Sequence, residues 1–344
     1  RASFDLSAAG RQGLLLSIAH PKKGAQAFKA MLESVTKQGY EKVIADVHAS
    51  KYFEAGQIGG LGIADTKGHM TTDELFTHLP FETKFGESPL GQGIKKYGGA
   101  IPRMSEQTYN AYLSHLRQNV FDSIAAAREA QFGKLTKADA EQIAQYVNSM
   151  SGLAKSKNQV VEGGLKVLNW FLFSSRFLTS RVQVGSGYTL GRALVHGGPL
   201  AKQAAKDHAI ILGGLSTILG LTTLAGGKVS VNPDNPDFLQ VQFGNQRVDI
   251  TGGVAPVLRA MIRGTMGIVK PIVANATGQP YTPPGYGQDA GTHLGRFFIN
   301  RTSPLIRAGV NSYHGESFGR PTDPSIEARN LLMPIGAEQA INSA

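Results

Sequence analysis

The stretch His208–Gly227, HAIILGGLSTILGLTTLAGG, runs straight into Lys228–Ile250, KVSVNPDNPDFLQVQFGNQRVDI, and the pair decides the fold class. The first part carries no formal charge over 20 residues and is apolar or small on every side, which predicts a helix. The second part changes period. Val229 and Val231, then Phe238–Phe243, then Gln246–Ile250 alternate apolar and polar residues, and Gly244-Asn245 between the last two runs is a two-residue hairpin turn. A small antiparallel meander over about residues 228–250 follows, one that must lean on a helix because two or three strands alone are marginal.

Two readings of the apolar segment stand side by side. Its length just reaches the roughly 20 residues that a bilayer core of about 30 Å requires. Lys202, Lys206 and Lys228 flank it as cationic anchors would. Its Gly and Thr content equally suits a buried core helix. On either reading Ile210, Ile211, Leu212, Leu215, Ile218, Leu219, Leu221 and Leu224 are the packing or membrane-facing residues, and Gly213, Gly214, Ser216 and Gly220 permit close helix approach.

Outward from this segment, helical periodicity dominates. Ala27, Phe28, Met31, Leu32 and Val35 recur at helical spacing after a break at His20-Pro21, with Gly39 as the expected stop. A helix over Glu41–Phe53, a Gly-rich loop over Gly56–Gly68, a short helix at Thr71–Leu79 and a linker over Phe81–Gly99 follow. Ser105-Glu106 opens the run Tyr109, Tyr112, Leu113, Leu116, Val120, Phe121, Ile124. Thr136 and Asp139 stand at capping-box spacing before Ile143, Tyr146, Val147 and Met150. A boundary near Ser151–Gly164 divides an N-terminal helical region, 1–150, from a C-terminal one, 151–344. In the latter, Gly185-Ser-Gly187 breaks the chain before a helix over Leu200–Asp207. Val254–Val273 is helical, Gln279–Gln288 is a loop and Thr292–Val310 is a basic helix. The expected class is therefore mainly α with one small antiparallel meander.

Composition excludes several chemistries. There is no Cys, which removes disulfides and thiolate metal sites. The nine His include no i, i+4 pair, and the sequence lacks GxxxxGK[ST] and HExxH. Gly185–Gly191 lacks both the spacing and the βαβ setting of a dinucleotide loop. No catalytic residue, cofactor, metal or small-molecule substrate is expected. Charged residues are sparse at 17%, yet the net charge is +10, which draws the chain towards phosphate of nucleic acid or lipid. Arg259, Arg263, Lys270, Arg296, Arg301 and Arg307 are the candidate contacts; pairing with subunit neighbours or helix C-termini is the competing role. The chain opens on Arg1 with no signal-peptide pattern, which reads as part of a longer polypeptide.

The opening, Ser3–Leu32 (SFDLSAAGRQGLLLSIAHPKKGAQAFKAML), carries Asp5-Leu-Ser-Ala8, Arg11-Gln-Gly13, His20-Pro21 and Phe28, Lys29, Met31. Further on stand Arg103-Met-Ser-Glu-Gln107 with Tyr109, and Arg117 with Val120, Phe121 and Asp122. Asn169–Ser174 with Arg176 and Arg181-Val182, Arg247–Gly253, and Phe318-Gly-Arg-Pro321 complete the series. In this order the motifs resemble the large polyvalent protein-associated domain of phages and integrated elements. Ser175 stands where that family usually has Pro, and Thr251 where Trp is common. The resemblance implies a domain of a long protein packaged in the capsid and delivered with the DNA, to which no catalytic residue is assigned. The expected function is a non-catalytic virion ejection domain that helps phage DNA across the host envelope as an oligomeric conduit. Its partners would be copies of itself, other virion proteins, phage DNA and host membrane. Its place would be the virion interior, then the host envelope or cytoplasm. A co-injected DNA-binding protector against host nucleases is the alternative.

Overall fold

The computed structural model describes residues 8–64, 100–154, 175–244, 246–277, 297, 316, 317, 320 and 321. The expected elements at Thr71–Leu79, Phe81–Gly99 and Gln279–Gln288, and all of Thr292–Val310 but Phe297, lie outside them. The chain is mainly helical with a small antiparallel sheet, and it divides into two compact units. The larger comprises Ala2–Ser156 and Arg176–Leu258; the smaller comprises Arg1, Lys157–Ser175 and Arg259–Ala344.

In the larger unit a π-helical turn, Ala8–Gln12, leads into α1 (Leu14–Ala19), α2 (Pro21–Glu33), α3 (Lys37–His48) and α4 (Phe53–Gly59). Pro21 starts α2 because its fixed φ suits a first turn and its missing N–H is not needed there. Gly39 does not stop a helix as expected. It sits in the first turn of α3, where its N–H donates to Thr36 Oγ1 (3.1 Å). A Cβ there would lie 1.8 Å from the Glu33 carbonyl oxygen, so glycine answers a close backbone approach. The expected loop from Gly56 begins later, because α4 runs to Gly59 and is ended by Gly60 at φ 80°.

The 33 residues of α5 (Ala100–Phe132) form the central rod, about 50 Å long at 1.5 Å per residue. Its stripe Tyr112, Leu113, Leu116, Val120, Phe121 and Ile124 is buried, and α2, α3 and α6 (Lys137–Met150) pack against the rod. Thr136 and Asp139 make the full reciprocal capping box at the start of α6. The core also takes Ala193 from α8 (Tyr188–His196) and Leu200, Ala204 and Ile211 from α9 (Gly198–Leu224). Between Ser175–Gly185 (α7) and α8, Gly187 at φ 76° makes the expected break. The helix over Leu200–Asp207 and the apolar segment after it are one uninterrupted helix of 27 residues.

Strands β1 (Lys228–Val229), β2 (Gln240–Phe243) and β3 (Gln246–Asp249) form a meander in that order, antiparallel throughout. The register pairs Val229 with Val241, Val241 with Val248 and Phe243 with Gln246, so the turn holds two residues, with Gly244 at φ 56°. After it, Thr251 Oγ1 accepts from Ala255 N (2.8 Å) and helps start α10 (Val254–Thr277). In the smaller unit, β4 (Glu316–Ser317) and β5 (Arg320–Pro321) pair antiparallel.

Candidate functional site

Helix α9 has two halves of opposite character, and the boundary between them is the candidate site. The first half is held by a buried carboxylate. Asp207 is fully buried, and it accepts from His20 Nε2 (3.1 Å), Tyr146 OH (2.8 Å) and Gln203 Nε2 (2.6 Å). Burial, reinforced by the Asp207 carboxylate, pushes the Tyr146 hydroxyl well above its ordinary range, so the phenol stays a donor. Lys23 is also near; burial pulls its ammonium down while Asp122 and Asp207 oppose that. Three donors on one carboxylate satisfy a charge that would otherwise be costly inside the fold. Leu200, Ala204 and Ile211 complete the anchored face.

The second half emerges from the core. Leu212 is 67% exposed, Leu221 60% and Leu224 85%, while Ile210 and Ile218 are also open to solvent. Of the eight predicted packing residues only Ile211 is buried; Leu215 packs partly on the core and Leu219 is half-buried. A Cβ at Gly213 or Gly220 would meet nothing within 4 Å. Among the described residues α9 is the one helix long and apolar enough to cross a membrane, and only 17% of its apolar window is buried.

The threonine hydroxyls of this open half are closed on the helix itself. Thr217 Oγ1 donates to Gly213 O (2.8 Å), Thr222 Oγ1 to Ile218 O (2.8 Å) and Thr223 Oγ1 to Leu219 O (3.0 Å). The backbone is hydrogen-bonded within the helix, and no charged residue lies between His208 and Lys228. Such a surface loses little on leaving water, because each of these hydroxyls brings its own acceptor. Lys202, Lys206 and Lys228 are exposed at its flanks.

Of the predicted basic row, Arg259, Arg263 and Lys270 lie on α10. Arg259 and Arg263 are half-buried and engaged, and Lys270 is exposed. Arg296, Arg301 and Arg307 lie outside the described residues. Among those described, no group of His, Asp and Glu has metal-site geometry. A cavity of about 260 Å³, lined in part by Arg128, Asp139 and His196, encloses an ion-pair cluster. Arg128 Nε donates to Asp139 at 2.9 Å, and Asp139 also serves the capping box, so the cluster is already committed to structure.

Sequence reasoning assigned no role to the buried arginines. Arg181 is fully buried, and its guanidinium donates to the carbonyls of Gly252 (2.6 Å), Arg11 (2.7 Å), Gln12 (3.0 Å) and Met150 (3.3 Å). Burial pulls it down to about 9, which leaves it charged at neutral pH. Asp249 accepts from Thr251 N, Thr251 Oγ1 and Gly253 N, and so shapes the turn that offers Gly252 O. Gly252 and Gly253 have φ of 61° and 88°; a Cβ on the first would meet Arg11 O at 2.9 Å and on the second the Phe177 ring at 2.9 Å. Arg117, equally buried, ties Ser151 and Gly62 together. Arg11-Gln12, Arg181 and Asp249–Gly253, which lie in separate motifs of the sequence, thus meet around one guanidinium. Comparison with protein-family models, with curated proteins and with solved structures finds no match to this chain.

Proposed function

We propose that this chain is a non-catalytic virion ejection domain that helps carry phage DNA across the host cell envelope, engaging the envelope membrane through the open half of α9. The observation that carries the membrane part is the coincidence on one helix of an anchored root and a protruding, charge-free end with its threonine hydroxyls bonded internally. A soluble surface has no use for a run such as Leu212, Ile218, Leu221 and Leu224 in water, and a large exposed apolar patch marks a contact site. The ordered likeness to the polyvalent protein-associated domain supplies the phage context. In that setting copies of the chain assemble with one another and with other virion proteins at the membrane, next to the passing DNA.

Vesicle flotation with a DNA competitor tests this reading. The chain floats with vesicles of mixed zwitterionic and anionic lipid, and added duplex DNA does not strip it off. Retention in solution, together with a steep salt-dependent shift of DNA in a gel, would overturn it in favour of a genome protector.

A further inference from the structure

The open half of α9 is too short to cross a bilayer while its root stays folded. Leu212–Leu224 spans about 20 Å at 1.5 Å per residue, against about 30 Å of hydrocarbon. Everything before it is pinned by Asp207 and Ile211, and the chain turns into β1 four residues after Leu224. The sheet is joined to the end of this helix: a Cβ on Gly227 would meet Thr222 Cγ2 at 2.6 Å and the Phe243 ring at 2.8 Å.

The ladder register sorts the sheet into two faces. Paired residues share a face, so Val229, Val241, Val248 and Phe243 lie together, and Lys228, Gln240, Gln242, Arg247 and Asp249 lie together on the other. Val241 is buried, whereas Phe243 is 50% and Val248 55% exposed. The helix end and the apolar sheet face are therefore one composite apolar tip. Its cationic companions are Lys228 on the polar sheet face and Lys202 and Lys206 along the helix, all exposed. Phe243 supplies a wholly apolar ring of the kind that inserts with leucine on the apolar side of an interfacial element.

We infer that this tip, Leu221 and Leu224 of α9 together with Phe243 and Val248 of the sheet, docks into a single leaflet of an anionic bilayer and does not span it. The occupant follows from the charges: exposed Lys202, Lys206 and Lys228 flank a run with no acidic residue between His208 and Lys228. In the meander Asp237 pairs with Arg247 (3.4 Å) and Asp249 is bonded in its own turn, so three exposed lysines face the single exposed carboxylate of Asp234. The inference rests on the membrane reading above and adds its depth, its lipid chemistry and a second inserting element.

The chain has no cysteine, so single cysteines at Leu224, Phe243 and, as a control, the exposed Lys29 take an environment-sensitive fluorophore cleanly. The full-length labelled chains are mixed with vesicles of phosphatidylcholine alone or with phosphatidylglycerol, carrying quenchers at defined depths. The inference expects both tip probes to move into hydrocarbon with anionic vesicles, to be quenched within the proximal leaflet and to stay out of reach of a reagent sealed in the lumen. The control probe stays in water. A Leu224 probe that reacts with the lumenal reagent overturns single-leaflet docking. A chain that floats while its Phe243 probe stays in water overturns the composite tip but leaves the membrane reading intact. A chain that does not float at all sinks both.

Discussion

Replacing Asp207 by Ala removes the acceptor at which α1–α2, α6 and α9 meet. His20 Nε2, Tyr146 OH and Gln203 Nε2 would lose their common partner, two of them in positions that water reaches poorly. Breaking a fully buried, charge-assisted cluster by deleting one partner costs about 3–5 kcal/mol. For a unit of this size that corresponds to a fall in Tm of roughly 10 °C. The three contacts share one carboxylate, so they are not additive. Tyr146→Phe alone should cost about 1 kcal/mol, and the Asp207→Ala, Tyr146→Phe double variant should lose less than the two singles combined. Urea unfolding followed by circular dichroism reads all three. Loss of under about 1 kcal/mol in Asp207→Ala would refute the claim that this carboxylate anchors α9. Full additivity in the double variant would refute the shared-acceptor geometry.

Arg181→Met keeps the bulk but strips four carbonyls of their donor, and a loss of at least about 3 kcal/mol in the same unfolding assay is expected, Lys at this position restoring little of it. Acid should weaken the fold through two groups. Burial pushes the Asp139 carboxyl up, but the bonds from Thr136 and Arg128 outweigh it and hold it below its ordinary value. The stability it contributes is thus full above the ordinary carboxylate range and drains as pH falls through the lowered folded value; Asp139→Asn flattens that limb of a stability–pH curve. His115 is held down by burial against the opposing pull of Asp46 and Glu33, so the folded chain keeps it neutral while the unfolded chain protonates it. Stability is then lost as pH drops below about 6.5, and His115→Gln should remove that loss between neutral pH and pH 5.

Much of the helical frame was legible because local chemistry and tertiary packing agree. The Thr136–Asp139 box starts α6 as its spacing requires, and Gly244-Asn245 sets the β2–β3 register with two residues in the turn. Gly39 was misleading because a glycine after a helical run is normally a cap, whereas here the requirement is space beside the Glu33 carbonyl. The state of α9 was not legible. A segment apolar on every side has no polar face from which to infer burial, so core and membrane readings are degenerate in sequence; only the positions of α1, α5 and α8 show which turns are covered. Arg181 and Arg117 were missed as core residues because hydropathy places arginine outside, and the backbone carbonyls that justify their burial come from segments far apart in the chain.

The most direct test of the membrane reading is the partition coefficient of the full chain onto anionic vesicles, measured beside Leu212→Ser, Leu221→Ser and Leu224→Ser combined. The three side chains are 67%, 60% and 85% exposed, so the substitutions leave the core intact. Together they offer the equivalent of about two fully exposed leucines, worth roughly 3–6 kcal/mol of transfer out of water. The triple variant, with unchanged urea unfolding, should bind vesicles more than about 100-fold more weakly than the parent chain. Equal partitioning of the two would contradict the membrane reading.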